Sequence, residues 1–135
     1  MAFLKNIYHY LLAWLGNLLY KHPSRQIFVL GITGTKGKST VVELVNSILE
    51  TANKKTSLLS SIRIKVGSDS RDNLTDNTMP GRFFIQKFLR NAVAAGSEYA
   101  ILEVTSEGVS QNRHCFIDFD ACLFLNLRPE HIESH

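Results

Sequence analysis

The stretch Gly31-Ile32-Thr33-Gly34-Thr35-Lys36-Gly37-Lys38-Ser39-Thr40 joins an apolar run at 27–30 to a run with helical spacing at 41–49. A glycine-rich turn in that place predicts a strand, a tight loop and a helix, and so confines the chain to folds containing a β-α unit. Glycines at 34 and 37 let backbone N–H groups turn towards one anion, while Lys38 offers an ammonium and Ser39 a hydroxyl suited to a hard metal ion. The spacing departs from the usual phosphate loop, because Ile32 stands where its first glycine belongs and Gly31 lies one residue early. A turn that merely starts a helix has no need of Gly-Lys-Ser-Thr, so the stretch is read as a nucleotide-phosphate cradle.

A length of 135 residues, 44% hydrophobic and 20% charged, suits one domain with a packed core and argues against disorder. The net charge of +3 is mild, so no nucleic acid is expected as a partner, and an anionic small molecule fits equally well. Cys115 and Cys122 match neither a zinc pattern nor a disulfide framework. They are expected as buried thiols, and the chain as cytoplasmic.

Residues 1–20 place Leu4, Ile7, Tyr8, Leu11, Leu15, Leu18 and Leu19 on one broad helical face, with Lys5, Asn6, His9, Gly16 and Asn17 opposite. Three fates stay open for this helix: packing on the domain, contact with a membrane surface, and a span or signal. Its polar interruptions, and the lack of a small-x-small cleavage site, speak against the last. Residues 21–26 read as a linker in which Pro23 stops the helix, so the chain divides into 1–26 and a domain at 27–135.

Beyond the loop, Val41, Val42, Leu44, Val45, Ile48 and Leu49 recur at helical spacing. Short strands are expected at 56–60 and 62–66, then a loop from 67 to about Pro80. Pro80 is placed in the first turn of a helix whose stripe of Phe83, Phe84, Phe88, Leu89, Ala92 and Val93 stops at Gly96. A strand at 99–104, a short helix near 107–111 and a strand at 121–125 follow. The fold class expected is α/β, a phosphate-loop type with a mainly parallel sheet flanked by helices, preceded by the amphipathic N-terminal helix.

Ligands of such sheets gather at the carboxyl ends of the strands. Glu103 ends an apolar strand and should lie beside the phosphate loop, where a magnesium ion needs oxygen ligands. The plainer reading is a buried acid satisfied by hydrogen bonds. His131 follows the final strand, where a surface histidine is the plainer reading.

Three blocks in this order, Gly34 to Thr40, Glu103-Val104-Thr105-Ser106-Glu107-Gly108-Val109-Ser110-Gln111-Asn112-Arg113, and Asn126-Leu127-Arg128-Pro129-Glu130-His131, resemble the Mur ligase family. Within it, the second block and Asn77-Thr78-Met79-Pro80 look most like the tripeptide synthetases, which add the third residue of the peptide. The resemblance implies an ATP-dependent ligase of peptidoglycan precursor synthesis. It would join an amino acid to a UDP-N-acetylmuramoyl peptide through an acyl phosphate.

By the same resemblance, Gly34, Thr35, Lys36, Gly37, Lys38, Ser39 and Thr40 bind ATP, with Lys38 on the phosphates. Ser39, Glu103 and His131 hold Mg2+, and Asn77, Thr78, Thr105, Gln111 and Arg113 contact the muramoyl peptide. Lys38, Glu103 and His131 are the candidate catalytic residues. Lys36, Met79, Thr105 and Pro129-Glu130 depart from the family's usual residues. The domains that would flank this region in a whole ligase are not expected within the chain, so it is read as a piece that does not turn over alone. Two rivals stay open, a folylpolyglutamate-synthase-like ligase and a nucleotide-binding module without ligase activity, the latter held at a membrane by residues 1–20.

Overall fold

The computed structural model describes residues 1–129, and every structural statement below concerns them. Phe28–Thr33 (β1), Thr56–Leu59 (β2) and Tyr99–Glu103 (β5) are short apolar runs bounded by polar or glycine-rich turns, as central strands of a covered sheet should be. β1 lies parallel to β5 on one side and to Ala121–Phe124 (β6) on the other, and β5 lies parallel to β2. Arg63–Val66 (β3) and Asp69–Asp72 (β4) continue the sheet antiparallel, giving the order β4-β3-β2-β5-β1-β6.

Alternation along the strands divides the core between two faces. Val29, Leu59, Ala100 and Leu102 point to one side, where Ile85, Phe88, Leu89 and Ala92 of helix Arg82–Ala94 (α3) meet them. Ile32, Leu58 and Ile101 point to the other, against Val42, Val41 and Val45 of helix Lys38–Thr51 (α2). Glu103 is two residues beyond Ile101 on β5 and so falls on the α2 side.

The segment after Val66, expected as loop, contains β4. All four of its residues are exposed, so no apolar alternation marks it in the sequence. Charged side chains on such an edge also discourage pairing with another chain. Pro80, expected inside the first turn of α3, is buried just before it, and Gly81 is the N-cap. The expectation of buried thiols is corrected too: Cys122 is exposed on the edge strand β6 and Cys115 is partly exposed.

Helix Ala2–Leu19 (α1) does pack on the domain, but through its small and polar side. Ala13, Gly16 and Asn17 are buried, and a Cβ on Gly16 would sit 3.5 Å from the Phe83 ring of α3, so the two helices approach closely. Arg90 of α3 donates to the carbonyls of Tyr20 and Lys21, at 3.0 and 3.1 Å, which satisfies the end of a helix with no basic residue in its last turn. The linker that follows forms a 3-10 turn, Pro23–Arg25. No helix here is long and apolar enough to cross a membrane.

Candidate active site

β1 ends at Thr33 and the chain turns through Gly34 to Gly37 into α2. Gly34 has φ +148°, and a Cβ there would meet the Leu125 Cβ at 3.1 Å and the Asn126 backbone N at 3.2 Å. Gly31 serves a different purpose: the Phe119 ring fills the space its side chain would take, so the early glycine belongs to packing inside β1. Gly37 is a left-handed N-cap with no side chain to cap α2, which leaves the first-turn N–H groups free of a side-chain acceptor.

Asn126, just past β6, fastens the loop. Its Oδ1 accepts from the N–H groups of Thr35 and Lys36, both at 3.0 Å, and its Nδ2 donates to the Lys36 carbonyl at 3.0 Å. The Thr35 hydroxyl accepts from the Arg128 N–H at 2.9 Å. Lys38 folds back across the turn, its Nζ donating to the Gly34 carbonyl at 2.7 Å. An ammonium held there is one side-chain rotation from an anion cradled by the loop.

Glu103 is 4% exposed, and its Oε2 accepts from the Ser39 hydroxyl at 3.0 Å and from the Ser61 N–H at 2.9 Å. The Ser39 and Ser61 hydroxyls also lie 2.7 Å apart. A carboxylate and two hydroxyls beside a phosphate-type loop form an all-oxygen donor set, which fits magnesium and not a softer metal. No cluster of three or more His, Cys, Asp or Glu among the described residues could hold a metal unaided.

Lys38, Ser61 and Glu103 line a cleft of about 420 Å³ together with Asp76, Asn77, Thr78, Thr105 and Glu107. The Thr105 hydroxyl caps the short helix Ser106–Ser110 (α4), accepting from the Gly108 N–H at 3.0 Å. Behind this lining, Arg113 donates to the Asn77 Oδ1 at 2.8 Å and the Gln111 Oε1 at 2.6 Å, and also to the Met79 carbonyl. The Met79 side chain is 1% exposed and belongs to the α3 core, so only its backbone serves this cluster.

The cleft lining carries Lys38 and the acids Asp76, Glu103 and Glu107, and two guanidiniums stand next to each other behind it. Arg82 donates to the Gln111 carbonyl, and burial followed by the neighbouring Arg113 charge lowers its pKa. His9 of α1 is lowered by burial first, then by Arg82, Lys5 and Arg113.

The fold therefore brings Gly34, Lys38 and Ser39 together with Glu103, sets Asn77, Thr78 and Thr105 in the same cleft, and leaves Gln111 and Arg113 behind its lining. Lys36 is exposed in the loop and Thr40 in the first turn of α2. His131 lies outside the described residues. Sequence reasoning assigned no role to Ser61, which sits in a plain Ser-Ser pair, or to Asn126, although Asn126 falls inside one of the three blocks.

Comparison with known proteins decides the lineage: the Mur ligase middle domain matches residues 32–135. The chain belongs to the Mur ligase family. This Mur ligase chain is 32% identical over 124 residues to the UDP-N-acetylmuramoyl-L-alanyl-D-glutamate--2,6-diaminopimelate ligase of Geobacillus kaustophilus, covering 92% of the chain and 25% of the relative. The protein of that name from Syntrophomonas wolfei is 34% identical over 124 residues, with the same coverage. The chain thus spans about a quarter of the length of the curated relatives it matches. A solved structure of such a ligase superposes with a TM-score of 0.68 at 23% identity, over 80% of this chain and 22% of the other, which bears on the fold alone.

Proposed function

We propose that this Mur ligase chain carries the ATP-binding and precursor-binding part of an amide-forming ligase that adds an amino acid to a UDP-N-acetylmuramoyl peptide in the cytoplasm. The observation that supports this most is one cleft lined by Lys38, Glu103, Asn77, Thr78 and Thr105, with Ser39 bonded to Glu103 and Arg113 to Asn77. Magnesium bound with ATP would neutralise phosphate charge and fix its orientation.

The chain's own residues position. Lys38 exchanges its bond to the Gly34 carbonyl for the transferring phosphoryl group, and Ser39 and Glu103, with Ser61, hold the metal side. The substrate carboxylate takes the γ-phosphoryl group with ADP leaving, then the amine attacks the acyl carbon and phosphate departs. Arg113, bonded to Asn77 behind the cleft lining, is the guanidinium that would meet an anionic precursor. His131 completes the proposed metal set.

Arg113→Met tests the precursor half. Calorimetric titration with UDP-N-acetylmuramoyl-L-alanyl-D-glutamate is expected to show at least about tenfold weaker binding, the value of one lost charge-assisted contact, with ATP affinity retained. Equal precursor affinity in the two proteins would remove Arg113 from the site.

A further inference from the structure

α1 is amphipathic in an inverted sense. Its small and polar seam faces α3, and its apolar arc faces outward: Leu4, Ile7, Leu11, Trp14, Leu15 and Leu18 are 41% to 69% exposed. An 18-residue helix lying along the domain presents this arc as a strip about 27 Å long, far more contiguous apolar surface than a single exposed leucine.

The charges around the strip select its occupant. No Asp or Glu occurs before Glu43, so α1 and its flanks carry cations only. Lys5 and Lys21 are exposed near the two ends of the helix, and neither pairs with a carboxylate among the described residues. Arg25 is neutralised by Asp118 at 2.8 Å. A second copy laid on the strip would bring two cation-only segments together with no acid between them. An anionic bilayer meets both requirements, taking the apolar side chains below its headgroups and offering its negative surface to a segment whose charges are all positive. Trp14 and Tyr8 add rings of the kind that settle at that boundary.

We infer that α1 is an in-plane membrane-surface helix that docks the domain on anionic lipid. It does not span, and α2, which follows the phosphate loop, lies on the opposite side of the sheet from α3 and α1.

Trp14 is the only tryptophan, so its fluorescence reports on this face alone. The full chain is mixed with phosphatidylcholine vesicles, with and without about one-third phosphatidylglycerol. The expected result is a blue shift of Trp14 and co-sedimentation at least about tenfold stronger on the anionic vesicles. Both should be lost in Leu11→Asp/Leu15→Asp, whose sites are exposed and leave the α3 seam intact, and weakened in Lys5→Glu/Lys21→Glu, which keeps the apolar arc. Absent binding, or equal binding to neutral and anionic vesicles, overturns the inference. So does a lipid-free dimer that Leu11→Asp/Leu15→Asp dissolves, since the strip then belongs to a second copy.

Discussion

Gly34→Ala is expected to destabilise the domain by about 2–4 kcal/mol and to remove nucleotide binding. Two costs combine at this position. The backbone stands at φ +148°, where an alanine is strained, and the new Cβ would press on Leu125 Cβ at 3.1 Å and on the Asn126 N and O at 3.2 and 3.3 Å. Those backbone atoms cannot retreat without loosening Asn126 from Thr35 and Lys36. Gly37→Ala separates the two costs: its φ is +86° but nothing lies within 4 Å of the added Cβ, so only the conformational cost of about 1–2 kcal/mol remains. Thermal and urea melts of the two variants should differ accordingly, and equal melts would mean that the Asn126 contact does not fix the loop.

Glu103→Gln is expected to act in the opposite sense on stability and on function. The carboxylate is nearly buried and receives hydrogen bonds from serines and a backbone N–H, none of them a cation. A neutral amide of the same shape removes a desolvated charge, so stability should stay within about 1 kcal/mol of wild type or rise. The same change removes the only anionic oxygen from the proposed magnesium set. The increase in ATP affinity that magnesium brings should fall at least about tenfold, while metal-free ATP binding is unchanged. A variant that keeps the full magnesium effect would place the ion elsewhere.

What could be read in the sequence follows physical range. Gly34, Gly37, Lys38 and Ser39 are adjacent along one turn, so their chemistry shows in their order. Glu103 could be placed because two-residue alternation along β5 and the rule for strand ends are both local. Ser61 and Asn126 could not be placed this way, because each reaches the site only when β2 and β6 take their positions in the sheet. β4 lacked any apolar signal, being polar on both faces. Periodicity marked α1 as amphipathic without saying which side is buried, and close approach to Phe83 favoured the side bearing Gly16.

The central claim is that the turn at Gly34–Ser39 holds the phosphates of ATP through Lys38. Calorimetric titration of magnesium-ATP into the full chain and into Lys38→Ala tests it most directly. Saturable binding by the wild type, weakened at least about tenfold in a variant that melts at the same temperature, is the expected result. Equal affinity in the two proteins, or no binding by the wild type, would contradict it.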